Sequence, residues 1–196
     1  MRIHAALLLF ITFHAAAVGA QETGESLPVA EIALSNDTLQ LRYVDSGEGI
    51  VDVDRTQWAG TFFLSEERDI VIDGALLFPL DLDVGPLTFM FGPRVYAALL
   101  DEENDDVLAA SLGAVVRMEL NRRSGLAVVG HAFYAPDILT FGSADRLTDL
   151  SARVEIRVAP RLTAFGGMRW FEFDLADGSG ERTLQEEVFV GFGYRL

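Results

Sequence analysis

The C-terminal run Val188-Phe189-Val190-Gly191-Phe192-Gly193-Tyr194-Arg195-Leu196 decides the fold. Every second residue, Val188, Val190, Phe192, Tyr194 and Leu196, is greasy, while Phe189, Gly191, Gly193 and Arg195 fall on the other side. A strand sends successive side chains to opposite faces, so a period of two marks a strand lying between two unlike surroundings. The pattern recurs upstream. Ala152, Val154, Ile156 and Val158 alternate with Arg153, Glu155 and Arg157, and Ala110 to Leu120 places Arg117 and Glu119 opposite Leu112, Val116 and Met118. Over 87–99 Arg94 lies opposite Phe89, Phe91 and Val95; over 70–78 Asp73 lies opposite Ile72, Gly74 and Leu76. His131 lies opposite Val128, Gly130 and Ala132 over 126–134, and Arg169 opposite Met168 and Trp170 over 164–170.

Composition limits what such strands build. The chain has 196 residues, a net charge of −15 and half of its residues hydrophobic, with a mean hydropathy of +0.25. Its 14 Phe exclude an acidic disordered chain. The negative balance argues against nucleic acid, which draws on clusters of Lys and Arg. Lys is absent and every cationic side chain other than histidine is Arg, which keeps its charge when desolvated and pairs bidentately with carboxylates. With no Cys there is neither a disulfide framework nor a thiolate site.

The N-terminus reads as a secretory signal peptide over 1–20. Arg2 gives a basic start, Ala5 to Phe13 an apolar core, and Val18-Gly19-Ala20 the small residues before a cut. Residues 21–196 then form a single domain. Its only histidine is His131, which excludes a multi-histidine metal site, and no cofactor is expected. Beyond the signal the longest uncharged stretch, 124–136, is shorter than the roughly 18 apolar residues of a membrane helix.

Short turns are expected at 81–86, 121–125 and 159–161, and longer connections at 101–106, 136–149 and 176–182. Short turns at one end, longer loops at the other and apolar/polar alternation describe a closed antiparallel transmembrane β-barrel. Eight strands run from Trp58 to the C-terminus. Leu39 to Tyr43 is a ninth, and a tenth at Ile32 to Leu34, after a turn at Ser35-Asn36-Asp37, makes the count even. The range is eight to ten, with ten favoured. Trp58, Tyr134, Trp170 and Tyr194 are candidates for interfacial girdles.

The segment from Gly74 to Tyr96, with Val84-Gly85-Pro86-Leu87 and Gly92-Pro93-Arg94-Val95-Tyr96, resembles the YfaZ family of outer-membrane proteins. Tyr134-Ala135-Pro136-Asp137 and Gly167-Met168-Arg169-Trp170 add to the resemblance, which covers residues 55–176. It implies an outer-membrane location and a barrel, and no catalytic motif.

Barrel closure is expected to gather Arg42, Asp73, Arg94, Arg117, Glu119, His131, Arg153, Glu155, Arg157 and Arg169 in the lumen. The leading expectation is a structural protein of the cell outer membrane with a charged, side-chain-filled interior. Its partners are outer-membrane lipid and lipopolysaccharide, with the C-terminal strand addressed to the barrel-assembly machinery. Two other readings stay open: a narrow channel for small anionic solutes, and a soluble periplasmic β-barrel that binds an apolar ligand and turns its greasy faces inward. No enzyme activity is expected, since spacing places no Ser beside His131 to act as a nucleophile. The acidic run 101–106 lacks the Gly and spaced Glu of a calcium loop and reads as a solvated connection.

Overall fold

The computed structural model describes residues 28–196 except 48–49, 52, 83, 102–104 and 176–179; the signal peptide expected over 1–20 lies outside the described residues. The strands are β1 (Val29–Leu34), β2 (Thr38–Ser46), β3 (Gln57–Ser65), β4 (Ile70–Leu80), β5 (Leu87–Leu100), β6 (Asp105–Asn121), β7 (Leu126–Ala135), β8 (Thr140–Gly142), β9 (Ala144–Ala159), β10 (Leu162–Leu175) and β11 (Glu181–Arg195). A single turn of 3-10 helix covers Asp137–Leu139. Among the described residues no helix is long and apolar enough to cross a membrane.

Ten of these strands close a ring. All pairings are antiparallel, β7 pairs with β9, and the first strand meets the last through Val29↔Arg195 to Leu34↔Val190. The remaining strand, β8, pairs with Val107, Leu108 and Ala109 of β6, continuing the wall beyond the end of β7. The segment at Ile32 to Leu34 is therefore the tenth strand and longer than expected, beginning at Val29.

Chain direction defines two ends. Both terminal strands open on the end that carries connections 47–56, 81–86, 122–125 and 160–161, called here the terminal end; connections 35–37, 66–69, 101–104, 136–143 and 176–180 lie at the far end. At the terminal end Gly125, with φ of 63°, supplies the left-handed residue that lets the chain reverse between β6 and β7.

The structure corrects two expectations about the connections. The longest, 47–56, is at the terminal end among the short turns, and tight turns at 35–37 and 66–69 occupy the far end, so length does not separate the ends. Much of the expected loop 136–149 is strand, because β9 begins at Ala144, and β11 begins at Glu181 inside the expected loop 176–182. The acidic run 101–106 likewise gives Asp105 and Asp106 to β6, while 102–104 lie outside the described residues. These strands are longer than the roughly 9 to 11 residues of a bilayer crossing.

The two faces part as alternation requires. Val188 and Val190 are 68% and 66% exposed on the outer surface, with Ile32, Ile72, Leu112 and Val154 elsewhere on the same belt. Phe63, Tyr96, Phe171 and Phe173 point inward and are buried, forming with Val71, Leu147 and Leu184 the main apolar cluster. That cluster lies toward the far end.

Candidate functional site

Buried charges occupy the interior. Asp149, on β9, is wholly buried and stands at the centre. Its Oδ1 accepts from Arg169 Nε at 2.8 Å, and its Oδ2 from Arg169 Nη2 at 2.9 Å, Arg94 Nη1 at 3.1 Å and the Tyr96 hydroxyl at 2.9 Å. His131 Nε2 lies 3.1 Å from Oδ1. A carboxylate only accepts, so Nε2 carries the proton shared in that contact. Arg94 also grips Asp73, Nε to Oδ1 at 2.9 Å and Nη2 to Oδ2 at 2.8 Å, and Arg169 Nη1 donates to Gln40 at 2.9 Å. The chain Asp73–Arg94–Asp149–Arg169–Gln40 thus runs across the barrel from β4 to β2 through β5, β9 and β10.

A second layer lies toward the terminal end. Arg153 holds Glu31 of β1 bidentately at 2.8 and 3.0 Å and donates from Nε to Glu155 at 2.9 Å; Glu155 also accepts from Arg117. Arg42 approaches Glu31 at 3.6 Å.

The guanidinium planes carry a further load. Arg94 lies over Tyr96 and Phe133, with 4.9 and 5.2 Å to the ring centroids; Arg169 over Phe171 and Phe63, at 4.3 and 5.4 Å; Arg153 over Phe165 at 4.4 Å. A planar cation that stacks on a ring while its edge donates to two acids is something Lys cannot reproduce, which gives a physical use to an all-Arg cation set.

The space left between these groups is a cavity of about 40 Å³, bordered by Gln40, Arg42, Thr61, His131, Ser151 and Arg153 among others. It is large enough for water and no organic substrate. Thr61 Oγ1 is buried there without a hydrogen-bond partner among the described residues.

Of the ten residues expected in the lumen, Asp73, Arg94, Glu155 and Arg169 are buried, and Arg42, Arg117, His131 and Arg153 are half-buried within the two layers. The other two do not join them. Glu119 pairs with Arg122 at 3.0 Å at the terminal rim, and Arg157 is exposed there, its backbone N–H donating to Ser124 O at 3.0 Å. Sequence reasoning missed Asp149 and Tyr96, and also Glu31, just outside the segment read as the tenth strand. It also missed Ser151, the cross-strand partner of His131, which alternation from Arg153 places on the inner face. Among the described residues no hydrogen bond joins Ser151 to His131.

Near the far end a third cluster ties the wall together. Arg182 Nη2 reaches Asp69 at 3.0 and 3.2 Å and Glu67 at 2.8 Å, and the Asp101 N–H donates to Asp69 at 3.2 Å.

Neither a curated protein nor a solved structure matches the chain. The family model described as YfaZ precursor matches residues 26–196, a span that takes in every strand of the ring and both layers of interior charge, and the chain belongs to that family.

Proposed function

We propose that the protein is a small barrel of the cell outer membrane with a structural role, its lumen closed by its own charged and aromatic side chains. The observation that carries this reading is the direction of the two faces: apolar side chains point out around the ring, and Asp73, Arg94, Asp149 and Arg169 point in. A bilayer satisfies the first face, and mutual pairing satisfies the second.

The belt's aromatic residues support the same reading. Trp170 Nε1 donates to Glu172 at 2.6 Å, toward the far end, while the Tyr43 hydroxyl donates to Asp45 at 3.1 Å, toward the terminal end. Each ring turns its polar tip away from the middle of the belt, as amphipathic rings do at a headgroup layer. Outer-membrane lipid and lipopolysaccharide are the surroundings this surface fits. The alternating strand β11 is the segment proposed to engage the barrel-assembly machinery. No catalytic role is proposed for His131, which hydrogen-bonds Asp149 beside a cavity too small for a substrate.

Fractionation tests the reading. The protein is expected in the outer-membrane pellet and to migrate differently in detergent gels before and after heating. Recovery from the soluble periplasm overturns it.

A further inference from the structure

The two charged layers of the interior do not balance alike. In the central layer Arg94 and Arg169 face Asp73 and Asp149, two cations for two acids, counting His131 as neutral. In the layer toward the terminal end Arg42, Arg117 and Arg153 share Glu31 and Glu155, three cations for two acids. The excess falls on Arg42. Arg117 and Arg153 are hydrogen-bonded to carboxylates, whereas the Arg42 guanidinium makes no hydrogen bond among the described residues and approaches Glu31 at 3.6 Å. A guanidinium carries five N–H donors, and inside a barrel each of them calls for an acceptor.

Gln40 adds to the imbalance. It lies two residues from Arg42 on the same inner face of β2 and accepts from Arg169 Nη1 through Oε1, which fixes the amide with Nε2 as its other end. Among the described residues Nε2 donates no hydrogen bond. Both side chains are half-buried and border the cavity of about 40 Å³ between the layers. Thr61, directly across from Arg42 on β3, brings its unpartnered hydroxyl to the same part of the interior. A hydroxyl donates or accepts, so it does not decide the sign of an occupant. Arg42 and Gln40 decide it, because their open groups are all donors.

The geometry points to a binding site for a small monovalent anion in this cavity, held by the Arg42 guanidinium and the Gln40 amide. Water gives these donors an acceptor and leaves the excess charge unmatched, while a single negative charge does both. The four carboxylates of the two layers are already bonded to Arg94, Arg117, Arg153 or Arg169, so the counter-charge comes from outside the chain. The cavity has the size for a halide and not for an organic acid. Such an ion is a bound part of the interior packing. The inference rests on the pairing inside the barrel and holds whether lipid or water surrounds the outer belt.

Urea unfolding of the protein refolded in dodecyl maltoside tests the site, with sodium chloride replacing sodium gluconate at constant ionic strength. An anion that binds only the folded barrel raises the unfolding midpoint progressively with chloride concentration. Arg42→Gln and Gln40→Leu are each expected to weaken the apparent chloride affinity about ten-fold, the size of one lost charge-assisted hydrogen bond. Arg123→Gln, a charge loss at the exposed terminal rim, leaves it unchanged. Heat-modifiable migration checks that each variant is folded. Crystals of the unaltered protein soaked in bromide give a reading that needs no variant: an anomalous peak is expected in hydrogen-bond contact with the Arg42 guanidinium. Midpoints that coincide in chloride and gluconate overturn the proposal and leave water as the occupant. A chloride effect that survives Arg42→Gln overturns it as well, as does a bromide-soaked crystal with no peak beside Arg42.

Discussion

Arg94 and Asp149 are 55 residues apart in sequence and 3.1 Å apart in space, Nη1 to Oδ2, so that β5 and β9 are bonded across the inside of the barrel with β6 and β7 between them on the wall. Asp149 is the only carboxylate that both Arg94 and Arg169 reach among the described residues. Its replacement by Asn keeps the shape and removes the charge that balances two buried cations. Asp149→Asn is expected to destabilise the barrel by about 3–5 kcal/mol, the range for breaking a buried ion pair on one side. Urea unfolding in lipid vesicles measures this, and a loss under about 1 kcal/mol contradicts the central place given to Asp149.

Glu31 and Arg153 behave differently when removed together. Glu31→Met leaves Arg153 with Glu155 as its one acid partner, and Arg153→Met leaves Glu31 with Arg42 at 3.6 Å, so each single change thins the pairing of a buried charge, whereas the double change puts an apolar contact of similar volume in place of the pair. The double variant Glu31→Met/Arg153→Met is expected to be more stable than either single variant, giving a coupling of about 1–3 kcal/mol in a double-mutant cycle. Additive losses mean that the two side chains do not pair.

The outward belt makes a prediction about solvent. Val190 sits on the apolar part of β11 and Glu186 beyond it. In vesicles Val190→Arg is expected to cost about 2–4 kcal/mol, as at a bilayer midplane, and Glu186→Arg close to nothing. In a barrel surrounded by water the two substitutions are equally mild, so comparing their unfolding midpoints decides what surrounds the belt.

A cavity of about 40 Å³ lies between the charged layers and an aromatic cluster packs the interior toward the far end, so the structural role proposed above calls for a lumen without a pore. Planar-bilayer recordings of the refolded protein are expected to show no discrete conductance steps. Reproducible steps with anion selectivity favour the channel reading.

Gly191 and Gly193 share the inner face of β11 at the seam with β1 but differ in room. A Cβ at Gly191 lies 2.3 Å from Ile32 O and 2.4 Å from the Phe165 ring, while one at Gly193 meets nothing nearer than 3.4 Å, the flexible Glu31 side chain. Gly191→Ala is expected to cost about 1–3 kcal/mol by overpacking and Gly193→Ala much less. The unfolding midpoints of the two variants check the order.

The fold was readable in the sequence wherever the outer face lies in the apolar belt. There, Ile72, Phe91, Val154 and Val190 contrast with inward Asp73, Arg94, Arg153 and Gly191, and period two stands out. Beyond the belt the contrast vanishes, because outward positions such as Arg146, Thr148 and Glu172 are polar as well. That is why the first residues of β9 and β11 passed for loop, and why Asp149 and Arg182, which bond across the interior, were read as parts of connections. Tyr96 was legible as a strand residue, but its hydroxyl partner was not, since the bond to Asp149 depends on which strands face each other across the ring. Glu119 and Arg157 show the converse limit: alternation assigns a face, and height along the barrel decides whether that face is interior or rim.

The meeting of β1 with β11 has a consequence for how the molecule comes into being. Every other seam in the ring joins strands near one another in sequence, but this one waits for the last strand of the chain. Until Gly191 and Phe192 stand beside Ala33 and Ile32, β1 keeps a bare edge, and Glu31 is joined to Arg153 of β9 with β11 and β10 missing between them on the wall. Closure of the ring therefore rests on the chain's earliest and latest strands, and a chain that lacks β11 leaves β1 with a bare edge of the kind that pairs with other chains.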